Sequence, residues 1–88
     1  MTTTTEPGAA ARVESAVREA LALIQPAAAG LDGDADLTAE AGLDSVQVMD
    51  LIMEIEDRLD LSIPVETVAE ARTVNELCAG ILRLTVRA

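Results

Sequence analysis

The chain has 88 residues and a formal net charge of −10, from 16 acidic and 6 basic residues. A chain of this length forms one small domain with a modest core. It contains no histidine and no lysine, which removes the commonest general base and the usual amine nucleophile. Its single cysteine permits neither an internal disulfide nor a structural zinc site. We therefore expect a protein that is not an enzyme and has no catalytic or metal-binding residues.

The negative charge is concentrated in the middle of the chain. Residues 32–70 contain twelve acidic residues and one arginine, for −11, whereas residues 1–31 sum to −1 and residues 71–88 to +2. We expect no nucleic-acid partner, because neutralising phosphates needs the opposite sign. The charge fits either a protein partner with a basic patch, reached by electrostatic steering, or a protein whose acidity serves only its solubility.

Apolar residues recur at helical rather than alternating spacing, and alanine, leucine and glutamate are abundant. The fold class that we predict is all-α: a small bundle of three main helices plus one short helix, with one long loop. We expect no room in so small a bundle for a buried pocket. No stretch is long and apolar enough to cross a membrane, and the N-terminus lacks a signal peptide. We therefore expect a cytoplasmic monomer without membrane insertion.

Residues 1–8 are rich in threonine, and we predict a disordered tail there. The folded domain should cover residues 9–85. Its first helix should run from Ala9 to Gln25, because Pro26 disfavours continuation. The core face of this helix is formed by residues spaced three or four apart: Val13, Val17, Leu21 and Ile24.

The loop over residues 26–42 contains Asp32, Asp34 and Asp36, an alternation that is typical of calcium-binding loops. Such a loop needs glycine at its sixth position and glutamate at its twelfth, but this sequence has leucine at both. We therefore expect a solvated acidic loop rather than a calcium site. Two residues should anchor it in the core: Leu31 and Leu37.

The clearest helix start in the chain is Asp44 followed by Gln47. A carboxylate at Asp44 can accept the N–H groups of the first turn, and Gln47 completes a capping box. Ser45 then takes the first helical position, at the positive end of the helix dipole. Because exposed N–H groups and the dipole favour an anion, the Ser45 hydroxyl is well placed to carry a phosphate. Gly42 lets the chain turn sharply before the helix, and Leu43 can anchor that turn.

The second helix, over residues 45–59, has two apolar stripes. The first should face the core: Val48, Leu51, Ile52, Ile55 and Leu59. The second is bordered by acidic residues and consists of Val46, Met49 and Met53. One surface helix does not need apolar residues this far round, so the second stripe is either an extra buried face or a contact for a partner. Methionine suits the latter, because it adapts to different surfaces.

The remainder of the chain predicts two more helices. Pro64 should start a short helix from about Val65 to Glu70. Thr73 and Glu76 predict another capping box, at which the last helix begins. The core face of that helix should be Val74, Leu77, Cys78, Ile81 and Leu82. We interpret the cysteine as a small buried hydrophobic residue rather than a reactive thiol.

The segment Gly42-Leu43-Asp44-Ser45-Val46 resembles the signature of acyl carrier proteins, in which a serine after an aspartate bears 4′-phosphopantetheine. The likeness extends over about Val13 to Leu82. It includes the first helix, the long loop, the acidic helix after the serine, Ile63-Pro64, and Thr73-Val74 at the last helix. A short motif in its proper structural context is a specific signal.

The resemblance implies a function and a set of site residues. Ser45 would bear the 4′-phosphopantetheine arm, with Asp44 as its flanking acid, and the arm would carry acyl intermediates as thioesters. A phosphopantetheinyl transferase would attach the arm, and acyl-loading and acyl-processing enzymes of fatty-acid or polyketide-type biosynthesis, such as a ketosynthase or an acyltransferase, would be partners. Tethering raises the effective concentration of an intermediate at each active site. The positions that match the partner-binding face of carriers are Val46, Met49, Asp50, Met53 and Glu54.

Four residues depart from the family pattern: Val46 replaces leucine, Ala41 and Ala71 stand where larger apolar residues are common, and Val65 replaces an acid. These departures indicate a specialised carrier of polyketide, lipid or mixed natural-product assembly. The segment around Ser45 is also similar to aryl carriers of nonribosomal peptide systems. Three functions stay open: an acyl carrier, an aryl or aminoacyl carrier, and an unmodified acidic helical adaptor.

Overall fold

The computed structural model describes residues 8–87, and the predicted tail over residues 1–8 lies outside them except for Gly8. Four α-helices follow one another: α1 (Ala9–Ile24), α2 (Ser45–Leu59), α3 (Val65–Glu70) and α4 (Val74–Arg87). A short 3₁₀ helix, Pro26–Ala28, follows α1. The described residues contain no strand, so the predicted all-α class with three long helices and one short helix is confirmed.

The core lies between the three long helices, and α1 packs against both α2 and α4. It is entirely aliphatic, as the absence of aromatic residues requires. The predicted inward residues are largely confirmed, since each long helix contributes side chains with almost no exposed surface. These are chiefly Val13, Val17, Leu21, Leu51, Ile55, Val74, Leu77 and Ile81.

Two details of the helix ends differ from the sequence predictions. Helix α1 ends at Ile24 rather than Gln25, because the backbone of Gln25 (φ −142°, ψ 84°) leaves the helical region before Pro26. At α4, the Thr73 hydroxyl accepts from the Glu76 N–H over 3.1 Å, as a capping box requires. The Glu76 carboxylate, however, accepts from the N–H of Arg72 over 2.7 Å. The reciprocal half of the box is therefore displaced by one residue.

The long loop after α1 is fixed to the bundle at its middle. The Arg18 guanidinium donates to the carbonyl of Leu31 over 2.6 Å. The N–H of Asn75 donates to the carbonyl of Gly33 over 2.9 Å, and the Leu37 side chain is buried. These contacts tie the loop to α1 and to the start of α4, so that the chain enters α2 from a defined position.

Two of the three loop aspartates stabilise turns, whereas the Asp34 carboxylate accepts from the Asn75 side-chain amide over 3.0 Å. Asp32 Oδ1 accepts from the N–H of Asp34 over 2.8 Å. Asp36 Oδ1 accepts from the N–H groups of Thr38 and Ala39, each over 2.8 Å. Donors at Ala39 and then Thr38 hold the pKa of the Asp36 carboxyl below its ordinary value of 3.8. The carboxylates of Asp32 and Asp36 thus accept local N–H groups, which is the behaviour of aspartate in Asx turns.

Helix α3 differs from the other three helices, because none of its residues is buried. It packs against α4, and few of its backbone atoms approach α2. The approach to α4 is close at Gly80, where an added Cβ would lie 2.8 Å from Thr67 Cγ2. A space therefore remains between α2 and α3, beside the first turn of α2. Within residues 8–87, none of the helices has the length and apolar character needed to span a membrane.

Candidate functional site

The turn before α2 is shaped by Gly42 and Leu43. Gly42 has φ +77°, in the left-handed region that glycine adopts without a Cβ penalty. The next side chain, Leu43, is only 3% exposed and lies in the core. The sequence prediction of a sharp, anchored turn is confirmed, and the turn fixes the point at which α2 begins.

The capping box at the start of α2 is complete. Gln47 N–H donates to Asp44 Oδ1 over 2.8 Å, and Asp44 N–H donates to Gln47 Oε1 over 3.2 Å. Ser45 is the first residue of the helix and is exposed. Because the caps immobilise the backbone on both sides, the Ser45 hydroxyl is displayed on a rigid support at the positive end of the helix dipole.

A half-open cavity of about 470 Å³ adjoins Ser45. We expected no buried pocket, and this cavity is half-open rather than buried; it exists because α3 lies loosely opposite α2. The cavity, called the Ser45 cavity below, is walled mainly by aliphatic side chains from α2, α3 and α4. Its apolar lining is Leu37, Val48, Met49, Leu51, Ile52, Val68, Ala69, Ala71 and Leu77.

Four residues with polar side chains also line the Ser45 cavity. They are Asp36, Thr38, Ser45 and Arg72. Sequence reasoning identified only the serine among them as a site residue. Arg72 is far from Ser45 in the sequence and comes close to the loop residues Asp36 and Thr38 because Leu37 N–H donates to the Arg72 carbonyl over 2.8 Å. No local pattern in the sequence signals this long-range contact.

The second apolar stripe of α2 is exposed, not buried. Val46 is 68% exposed, Met49 57% and Met53 60%. Asp50 is exposed among them. The structure therefore removes one of our two interpretations, the extra buried face, and leaves a continuous apolar strip at the surface of an acidic helix. Such a strip is typical of a contact surface.

Glu54 differs from the other predicted partner-binding residues. Its carboxylate accepts from the Arg58 guanidinium over 2.6 Å, and it is partly buried. Arg58 also approaches Glu19 of α1, with 3.5 Å between Nε and the carboxylate. The charge of Glu54 is therefore partly compensated within the chain. Asp50, which forms none of the ion pairs within residues 8–87, is the more available acid of the two.

Comparison with known protein families identifies the family of the chain. Residues 11–81 match the family described as "Phosphopantetheine attachment site". The chain belongs to this family. The match covers all four helices up to the middle of α4, so it includes Ser45, its caps and the cavity. Members of the family bear covalently attached 4′-phosphopantetheine and act as carriers, so this carrier is not an enzyme.

One curated relative supports the same assignment. The chain is 39% identical over 49 residues to a "Probable acyl carrier protein" of Caulobacter vibrioides strain NA1000 / CB15N. The aligned part is 56% of this chain and 57% of the relative, so the chain spans somewhat more than half the length of the curated relative. No solved structure matches the chain significantly. Membership in the family favours a carrier over the unmodified adaptor that the sequence left open.

The structure offers a place that fits the family's prosthetic group. A phosphoester needs an accessible hydroxyl, and Ser45 is exposed at a helix start where backbone N–H groups favour an anion. The apolar cavity next to it can contact the uncharged part of a flexible arm. Among the described residues, Cys78 is a poor alternative nucleophile, because burial raises the pKa of its thiol to about 11.

Proposed function

We propose that the chain is an acyl carrier that bears 4′-phosphopantetheine on Ser45 and delivers acyl groups to enzymes of fatty-acid or polyketide-type biosynthesis. The observation that carries the proposal is the exposed Ser45 hydroxyl at the first position of a fully capped helix, beside an aliphatic cavity. The prosthetic group supplies a thiol that holds acyl groups as thioesters. The carrier domain that we assign to it covers residues 9–85.

The residues around Ser45 have separate tasks in this proposal. Asp44 stabilises the helix start and keeps the serine backbone fixed while a phosphopantetheinyl transferase approaches. The turn at Gly42 places the serine at the edge of the bundle, so that a transferase can reach the hydroxyl without unfolding the core. The helix dipole stabilises the negative charge that a phosphoester brings.

The partner-binding face in this proposal is the exposed strip of α2. Val46, Met49 and Met53 supply apolar contact area, and Asp50 and Glu54 supply negative charge. A face that is small and acidic suits brief contacts with basic patches on a ketosynthase or an acyltransferase, since long-range attraction mainly speeds encounter. A cytoplasmic location fits the single cysteine, which needs no oxidising compartment.

A loading experiment tests which kind of carrier the chain is. The phosphopantetheine-bearing protein is offered either to an acyl-transferring enzyme with an acyl-coenzyme A or to an adenylating enzyme with ATP and an amino or aryl acid. Intact mass then reports the group that is attached. We expect loading by the acyl-transferring enzyme, and none in Ser45→Ala. Loading by the adenylating enzyme alone would establish the aryl or aminoacyl carrier instead.

A binding experiment tests the proposed partner face. Affinity for a basic partner enzyme should fall when salt is raised, because exposed charges are screened. Asp50→Asn should weaken binding more than Glu14→Gln, since Glu14 is an exposed acid of α1 rather than of α2. Affinity that is independent of ionic strength, or equal losses in the two variants, would contradict the proposed face.

A further inference from the structure

The Ser45 cavity has a single cationic side chain in its lining, Arg72. The residue is exposed, and it lies directly after the acidic stretch over residues 32–70. In the part of the chain that the structure describes, ion pairs within 4.0 Å are formed by Arg18 and Arg58, not by Arg72. The Arg72 guanidinium thus remains available at the rim of the cavity although acidic residues are abundant.

The backbone of Arg72 is held by two hydrogen bonds. Its carbonyl accepts from Leu37 N–H over 2.8 Å, and its N–H donates to the Glu76 carboxylate over 2.7 Å. The next residue, Thr73, pairs with Asp36 in an isolated antiparallel bridge. Arg72 therefore projects from a fixed position between the long loop and α4, on the same cavity that Ser45 lines.

The carboxylate that lines the cavity together with Arg72, that of Asp36, already has several donors. Asp36 Oδ1 accepts from the N–H groups of Thr38 and Ala39 and from the Thr38 hydroxyl, each over 2.8 Å. The attraction of Arg72 is the weakest of the causes that lower the pKa of Asp36. Asp36 therefore does not occupy the guanidinium, whose planar donors suit the oxygens of a phosphate or carboxylate.

A phosphodiester on Ser45 creates a specific electrostatic problem at this site. It places a negative charge next to the exposed Asp44 carboxylate, in the most acidic part of the chain. The helix dipole provides only about half an elementary charge in compensation, and only within the first turn. A cationic side chain lining the same cavity would compensate the rest of the phosphodiester's negative charge, because opposite charges attract strongly at the short distances that a cavity permits.

We propose that Arg72 binds the phosphodiester formed on Ser45 and thereby holds the prosthetic arm across the mouth of the Ser45 cavity. This inference rests on the proposed function, since it requires attachment at Ser45. A carboxylate at the end of an acyl group presents the same anionic oxygens and is the other source that Arg72 could recognise. The phosphodiester is preferred because it is tied covalently to a residue that lines the cavity.

The test compares the protein without and with the arm, in the wild type and in three variants. Arg72→Gln removes the charge, Arg72→Lys retains it, and Arg83→Gln removes an exposed charge from α4 that does not line the Ser45 cavity. Intact mass first shows that each protein carries the arm. Urea unfolding then gives an equilibrium constant for each form, and phosphorus NMR reports the surroundings of the phosphodiester.

Without the arm we expect Arg72→Gln and the wild type to unfold with the same constant. With the arm, the unfolding constant of Arg72→Gln should be about two- to fivefold larger than that of the wild type, the size of an exposed ion pair. The phosphorus resonance should move in Arg72→Gln and stay in Arg83→Gln, and Arg72→Lys should recover part of the difference. High salt should abolish the difference in unfolding constant between Arg72→Gln and the wild type, because it screens exposed charges.

Several results would overturn the proposal. One is an equal change without the arm, which makes Arg72 a residue that only stabilises the fold. Another is an equal effect of Arg83→Gln, which would show that any loss of positive charge has the same effect, wherever it lies on the surface. A third is a difference that appears only after loading with an acyl group that ends in a carboxylate, not one that ends in a methyl, which assigns Arg72 to the cargo. Failure of attachment shows earlier, as an unchanged wild-type mass, and counts against the proposed function itself.

Discussion

The core between the three long helices and the edge formed by α2 and α3 are built on opposite principles. The core contains aliphatic side chains with almost no exposed surface, contributed by α1, α2 and α4. The edge contains a short helix without a buried residue, a half-open cavity and an exposed serine. Stability and the proposed carrier function therefore depend on separate parts of a chain of 88 residues.

Helix α2 belongs to both regions, and its two faces should respond very differently to truncation. Ile55→Ala removes a side chain with no exposed surface, so we expect a loss of about 2–5 kcal/mol in the free energy of unfolding. Met53→Ala, on the outer face of the same helix, should change the free energy of unfolding by less than about 0.5 kcal/mol. Urea unfolding followed by far-UV circular dichroism measures both. Similar losses would show that the two faces of α2 contribute equally to stability.

Alkaline pH should destabilise the core side through Cys78 of α4. Burial, with a smaller contribution from the Glu14 carboxylate, raises the pKa of this thiol from 9.0 to about 11. Because the folded pKa lies above the unfolded one, the stabilisation is present below pH 9 and is lost as the pH rises towards 11. The chain has no lysine or tyrosine that would titrate in the same range.

Urea unfolding between pH 7 and 11 measures this loss, and Cys78→Ala is the control that lacks the titrating thiol. We expect the wild type to lose stability above pH 9 and the variant to keep a flat profile up to about pH 11. Thiolate absorbance, free of aromatic overlap because the chain has no aromatic residue, gives the pKa directly. A pKa at the ordinary value would contradict the buried placement of the thiol.

The start of α2 should contribute a moderate amount of stability at the edge. Asp44→Ala removes the carboxylate that accepts from Gln47 N–H, and we expect a loss of about 1 kcal/mol. Asp50→Ala, an exposed acid further along the helix, should have little effect. Both are measured on the protein without the arm. Equal effects would mean that the capping box does not fix the serine.

A small change in global stability is expected where α3 packs against α4. Gly80→Ala gains about 1 kcal/mol of helix propensity but forces Thr67 away from α4. We expect a net change below about 1 kcal/mol, with faster amide hydrogen exchange in α3 and unchanged exchange in the core. Adding Thr67→Ala should restore slow exchange, because it removes the opposing methyl group. Faster exchange in the core rather than in α3 would contradict the independence of the edge.

Sequence reasoning recovered those parts of the molecule that are encoded locally. The start of α2 follows from Asp44 and Gln47, which lie three residues apart and bond each other. The inward residues of the long helices follow from helical spacing, which depends on neighbours within two turns. The position of Ser45 as the first residue of α2 was predictable for the same reason.

The Ser45 cavity and its arginine could not be predicted in this way. Arg72 is brought to the cavity by a backbone contact with Leu37, and that pairing leaves no periodic trace in either segment. The attachment of Glu54 to Arg58 was foreseeable from their spacing of four residues, but the bridge from Arg58 to Glu19 depends on how α1 crosses α2. Tertiary approach, not local propensity, decides these features.

Attachment of 4′-phosphopantetheine to Ser45 is tested by the intact mass of the protein after incubation with coenzyme A, magnesium and a broad-specificity phosphopantetheinyl transferase. Ser62→Ala is a matched control, since Ser62 is also exposed and precedes a helix but does not line the Ser45 cavity. We predict that the wild type and Ser62→Ala each gain one phosphopantetheine, while a fully helical Ser45→Ala gains none. A gain of phosphopantetheine on Ser45→Ala, or no gain on a folded wild type, would contradict attachment at Ser45.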